Sequence, residues 1–176
     1  MLNQLAPIRN AMTIKFKCPC CDEIVEGMPS YAWEKPLSYF SVPKEIRETN
    51  TFLTGELCVI AEERFFIRGC IEIPVFGSED PFIWGVWVQL SEENFMEFQE
   101  SLPKNERSNY GPYSGWLNVS MPAYLETENL KVIIHIRNDG IRPNIEIKTN
   151  EHPLAIEQQE GISVNRVSEI YAIMEH

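Results

Sequence analysis

Apolar and polar positions alternate most clearly between Arg64 and Val75. Phe65, Ile67, Gly69, Ile71 and Ile73 fall on one side, and Arg64, Phe66, Arg68, Cys70 and Glu72 on the other. A period of two marks a strand with one dry face. Phe82–Leu90 repeats the pattern, with Phe82, Trp84, Val86, Val88 and Leu90 set against Ile83, Gly85, Trp87 and Gln89. Leu57–Ala61, a short segment near Trp116–Val119, Leu130–Arg137 and Pro143–Lys148 read as further strands, and Thr13–Lys17 as a short one ahead of them. Asn138, Asp139 and Gly140 join the last two of the main series, and Asp-Gly between alternating runs is a strong hairpin signal. Pro74 donates no ladder hydrogen bond, so it should end its strand or sit at an edge.

The period changes to that of a helix over Glu92–Leu102. Ser91 is a good N-cap, Leu90 and Phe95 form a hydrophobic staple, and Phe95, Phe98 and Leu102 share one face. Two more helices are expected at the end of the chain. Pro153 opens the first, Gly161 closes it, and Ser163 caps the second, whose apolar stripe is Val164, Val167, Ile170, Tyr171 and Met174. Pro43 opens one helical turn over Lys44–Glu48 inside an irregular, aromatic-rich stretch, residues 27–50. Strands in runs, with helices set apart, predict an α+β fold. The expected architecture is an antiparallel β-sheet meander of about five to seven strands with a few helices packed on one face. Residues 1–12 read as a flexible N-terminal extension, and 13–176 as a single α+β domain.

Composition narrows the classes of function. The chain has 176 residues, 26 acidic against 15 basic, and a formal net charge of −11. Nucleic-acid binding needs a basic stripe, and none is seen; the same charge opposes adhesion to an anionic membrane. It steers instead toward a protein partner with a basic surface. No apolar run reaches the length of a membrane-spanning helix, and the first residues lack the pattern of a secretory leader. The cysteine count is odd, at five. Clustered and unpaired thiols fit a reducing cytoplasm better than a disulfide framework.

Three of those cysteines sit in the run Cys18-Pro19-Cys20-Cys21. Cys18 and Cys21 have the spacing of a metal knuckle, and thiolates in that arrangement point to zinc. A structural zinc wants four ligands, and the second knuckle is missing. Cys58 and Cys70 lie within strands, His135 in mid-strand and His152 at a helix start. The alternatives are a remnant knuckle of free thiols in a turn, or a redox dithiol, which here lacks the usual place at a helix N-terminus. A Cys–His nucleophile from Cys58 or Cys70 with His135 has no local signature. Glu72, Glu79 and Asp80 offer carboxylates for acid–base work, although the last two sit in a loop. No phosphate-binding loop, dinucleotide fingerprint or serine-hydrolase motif is present. No residue is assigned a catalytic role.

Arg68, Glu72, Trp87 and Gln89 form a candidate binding face if the two long strands pair in simple register. The plainer reading of the same residues is an ion pair under an aromatic ring, with Glu72 as the partner of Arg68. Tyr31, Trp33, Tyr39 and Phe40 form either a ligand lip or ordinary loop packing.

The segments FFIRGCIEIPV (65–75), FIWGVWVQLSEENF (82–95), YSGWL (113–117) and HPLAIEQQEGI (152–162) resemble a bacterial family of uncharacterised proteins, domain of unknown function 2199. The resemblance covers the chain from about Phe16 to about Ile170. It implies a small cytoplasmic bacterial protein with no assigned reaction, cofactor or partner. It also implies a Cys-x-x-Cys-Gly knuckle with a histidine close behind. Cys18 and Cys21 match; Asp22 stands at the glycine position, and neither Ile24 nor Val25 supplies the histidine.

Taken together, these readings favour a non-enzymatic binding or interaction protein, in its most concrete form an immunity-like partner of a basic protein. The alternative is a zinc-knuckle module, or a small-molecule-binding or enzymatic domain.

Overall fold

The computed structural model describes residues 13–176; the expected N-terminal extension, residues 1–12, lies outside the described residues. In chain order the elements are β1 (Lys15–Lys17), β2 (Ile24–Glu26), β3 (Ser30–Ala32), α1 (Leu37–Ser41), α2 (Lys44–Thr49), β4 (Thr51–Leu53), β5 (Leu57–Ile60), β6 (Arg64–Ile73), β7 (Phe82–Leu90), α3 (Glu92–Ser101), β8 (Tyr113–Leu117), β9 (Lys131–His135), β10 (Asn144–Ile147), α4 (Pro153–Glu160) and α5 (Val164–Glu175).

The long alternating runs pair as their pattern predicts. β6 and β7 form an antiparallel hairpin from Phe65↔Leu90 to Ile73↔Phe82. The dry face of β6 is fully buried at Ile67, Ile71 and Ile73, and β7 buries Phe82, Trp84, Val86 and Val88 in register with it. Pro74 ends the ladder, and its carbonyl accepts from Ile162 N–H at 2.8 Å, which ties the start of the α5 segment to the end of β6.

The sheet is not the simple antiparallel meander expected from the sequence. Its eight strands run β3-β7-β8-β9-β10-β6-β5-β4, and β6 also pairs with β7, so β6 to β10 close into a five-stranded barrel. The closing pair, β10 with β6, is parallel, with Asn144 opposite Cys70. The reason is parity: in an up-and-down ring of five strands the first and fifth must point the same way. β3 adds a second parallel pair by taking the edge of β7 over residues 83–85, while β8 takes residues 88–89 of the same edge.

Closing so small a ring crowds its interior, and two glycines make room. A Cβ at Gly69 would lie 2.5 Å from Ile145 Cδ1, and one at Gly115 would lie 2.6 Å from the Gln89 carbonyl oxygen and 2.9 Å from Ile134 Cδ1. Alternation of small and large residues is how narrow barrels fill their cores.

The helices form where their caps predict. Ser91 accepts from Asn94 N–H, Ser163 accepts from Arg166 N–H, and Gly161 ends α4 at φ 83°. α3 lies on β6 with Phe95 and Phe98 buried, and α4 lies on β10 and β6. α5 packs on β1 and also buries Val167 and Ile170 in the common core. Phe16 meets the Tyr171 ring edge-on at 5.6 Å, and Ser168 Oγ donates to the Lys17 carbonyl at 2.8 Å. The small β1–β2 hairpin is thereby held against the last helix, and this contact sets up the site below.

Candidate metal centre

β1 and β2 are joined by residues 18–23, which contain all three clustered cysteines. The loop is closed at its base by Cys18 N–H donating to the Glu23 carbonyl at 2.8 Å, and Asp22 N–H donates to the Cys18 carbonyl at 3.2 Å. Asp22 adopts φ 64°. That is the left-handed region in which glycine is easiest, and aspartate is one of the few other residues that enters it at modest cost. Asp22 can therefore hold this turn without a glycine. The Asp22 carboxylate also pairs with Lys17 Nζ at 2.6 Å.

The sulfur atoms of Cys18 and Cys20 lie 3.2 Å apart. Cys21 Sγ lies 3.3 Å from Nε2 of His176, the last residue of the chain. One ligand atom from each of Cys18, Cys20, Cys21 and His176 lies within 4.8 Å of the other three. A tetrahedral zinc with bonds of about 2.3 Å to sulfur has edges of about 3.8 Å between ligand atoms. The observed span brackets that edge, so the four donors fit a Cys3His zinc site. Cys18 is buried, and Cys20, Cys21 and His176 are exposed.

Thiol ionisation in the knuckle is uneven. Burial opposes the Cys18 thiolate, but the backbone N–H groups of Cys20 and Cys21 and their thiols, directed at its sulfur, outweigh burial and bring it down to about 6. Cys20 is pushed up to about 11, first by its hydrogen bond to the Cys18 sulfur, then by desolvation and the neighbouring thiolates. This is the pattern of several thiols sharing one negative charge, which a divalent cation would relieve.

Of the knuckle residues singled out in the sequence, Cys18 and Cys21 are both in the cluster. Cys20, to which the knuckle spacing gave no role, is the third member. The fourth is His176, which sequence spacing gave no reason to choose. The histidines considered earlier are elsewhere: His135 Nε2 lies 2.7 Å from Glu146 Oε2, and His152 caps α4 by accepting from Leu154 N–H. Cys58 is buried in β5, and burial pushes its thiol up to about 12. Burial also raises Cys70, with Arg137 and Arg142 pulling the other way. Neither belongs to the cluster.

The candidate binding face is arranged differently from its sequence reading. Arg68 does sit opposite Trp87, with its guanidinium 5.9 Å from the indole ring. Trp87, however, is fully buried, and its Nε1 donates to the Trp33 carbonyl at 2.9 Å. The loop from Trp33 covers this side of the hairpin, so Trp87 is packing beneath it. Gln89 stands opposite Phe66. Glu72 is not the partner of Arg68; it accepts from Arg137 Nη1 at 2.5 Å, and Arg68 reaches the Gly55 carbonyl at 3.4 Å. Tyr31 and Trp33 pack on Trp84, while Phe40 is exposed.

A cleft of about 520 Å³ opens between the end of β6, the loop after it, β10 and α4. Glu72, Glu79, Asp80 and Glu146 line it with Gln158, and neither Arg68 nor His135 does. Gln158 is fixed on both sides: it donates to the Ile145 carbonyl and accepts from Ile147 N–H. Among the described residues no helix is long and apolar enough to cross a membrane.

A mixed α/β fold on a five-stranded barrel, with a cysteine–histidine cluster between the β1–β2 loop and the end of α5, defines the class of this protein. The chain belongs to the family described as uncharacterized proteins conserved in bacteria, DUF2199, whose model matches residues 17–162. That span includes the three clustered cysteines and stops short of His176. No curated protein and no solved structure gives a significant match.

Proposed function

We propose that this is a non-enzymatic binding protein whose terminal elements are stapled by one zinc ion. The observation that carries the reading is the convergence of Cys18, Cys20, Cys21 and His176 within 4.8 Å. Four protein donors fill a tetrahedron and leave no open position for substrate or water, which is the mark of a structural rather than a catalytic zinc. Three thiolates favour zinc over hard cations such as magnesium or calcium. The test is elemental analysis of protein purified without chelator, alongside Cys18→Ser and Cys21→Ser. About one zinc per chain, lost in both variants, supports the reading. A metal-free protein that folds identically to the variants overturns it.

With the metal structural, function falls to the surface. The net charge of −11 and the acidic cleft beside β10 favour a partner with a basic surface, in the manner of an immunity protein. Association driven this way is fast at low salt and slows steeply as salt rises. Affinity capture from the native host at low and high salt tests this, and failure to recover any basic protein at low salt sinks it. Clustered thiols poised for zinc fit a reducing cytoplasm as the site of action.

A further inference from the structure

Resting on the zinc reading above, we infer that the site is also a redox switch, which a hydroperoxide opens by joining Cys18 to Cys20. Two geometric observations carry this. The two sulfurs are 3.2 Å apart, closer than the edge of a zinc tetrahedron, so forming a bond between them asks for little movement of the loop. And Cys20, Cys21 and His176 are exposed, where a shielded structural zinc site would be closed to oxidants.

Cys20, which metal binding would keep deprotonated, attacks one peroxide oxygen through its exposed sulfur; the O–O bond breaks, Cys20 becomes a sulfenic acid, and the other oxygen leaves as water or alcohol after taking up a proton. The Cys18 thiolate then attacks the Cys20 sulfur, the S–S bond forms, and hydroxide leaves as water with a second proton. Two electrons pass from the two sulfurs to the peroxide. Only Cys21 and His176 then remain as donors, and two ligands do not hold zinc against solvent.

The consequence is local and directional. His176 ends α5, whose remaining grip on the hairpin is the Phe16–Tyr171 contact, the Ser168 bond to Lys17 and a 3.3 Å hydrogen bond from Tyr171 to Glu23. Oxidation therefore frees the last turn of α5 and the knuckle while leaving the barrel folded. The state of the two thiols sets whether the β1–β2 loop is joined to the end of α5.

The experiment is titration of zinc-loaded protein with hydrogen peroxide, following released zinc with a chromogenic chelator and the cysteines by intact mass and peptide mapping. The expected result is release of about one zinc per chain together with a loss of about 2 Da, mapped to a Cys18–Cys20 disulfide, and recovery on adding dithiothreitol and zinc. Cys20→Ser, if it still holds zinc, should retain it at peroxide levels that empty the wild type. Zinc that stays bound while peroxide is consumed, or thiols that pass to sulfinic acid with no disulfide, overturns the switch and leaves the zinc reading standing. Reduced protein that takes up no zinc overturns both.

Discussion

Cys21 Sγ and His176 Nε2 lie 3.3 Å apart although 155 positions separate them in the chain. The contact exists because α5 lies along β1, with Tyr171 on Phe16, and because its last turn ends level with the knuckle. The β1–β2 hairpin supplies no histidine of its own to the cluster, and α5 brings His176 to it.

If that contact is a ligand pair, His176→Ala should weaken zinc binding by about tenfold or more, since loss of even an outer-shell partner costs about 10–100-fold. Cys18→Ser, which removes the buried donor, should cost more. Competition against a chelator of known affinity measures both. Equal affinity in His176→Ala and wild type would exclude the histidine from the site.

Chelation should lower the thermal midpoint without unfolding the barrel. A ligand at a hundredfold excess over its dissociation constant stabilises the native state by about 2.7 kcal/mol. Hydrogen exchange should rise in residues 18–23 and 172–176 and stay unchanged in β6 and β7. Exchange that rises throughout the sheet would mean that the metal supports the whole fold.

Arg166 holds α5 to α4 through a half-buried network. Its Nε donates to Glu157 Oε1 at 2.7 Å, and Tyr124 Oη donates to Glu157 Oε2 at 2.5 Å. Arg166→Met leaves the Glu157 carboxylate without its cation, and should cost about 1–3 kcal/mol in urea unfolding.

Gly115→Ala forces a methyl group against the Gln89 carbonyl and Ile134 inside the barrel, and overpacking of this kind costs about 1–3 kcal/mol. Gly55→Ala, where nothing lies within 4 Å, is the control and should shift stability by less than about 0.5 kcal/mol.

Glu146 supplies a pH-dependent term. Hydrogen bonds from Lys148 and then His135 hold its carboxyl below the usual carboxylate range. A folded-state value below the unfolded one stabilises the protein above the unfolded value, about 4.3 for glutamate, and the gain is lost as pH falls through the folded value. Lys148→Ala should therefore be less stable than wild type at neutral pH, with the gap closing in the acid range. A gap that persists unchanged at the acid end would place the effect of Lys148 elsewhere.

The local elements were legible in the residues. Alternation at 64–73 and 82–90 marked the long strands, Ser91 and Ser163 marked helix starts, and Pro74 marked the end of β6, because each signal acts over a few neighbouring positions. Half of the metal cluster was legible too, since Cys18 and Cys21 carry their spacing within one turn. The barrel closure was not: the pairing of Asn144 with Cys70 is a long-range contact that leaves no local period. Nor was the fate of Trp87, whose alternation gave its face of the strand but not the loop that buries it. Only the tertiary structure decided that Cys20 and His176 join Cys18 and Cys21 within 4.8 Å, because such a group is defined by distances in space, and the docking of α5 on β1 brings His176 to the β1–β2 loop.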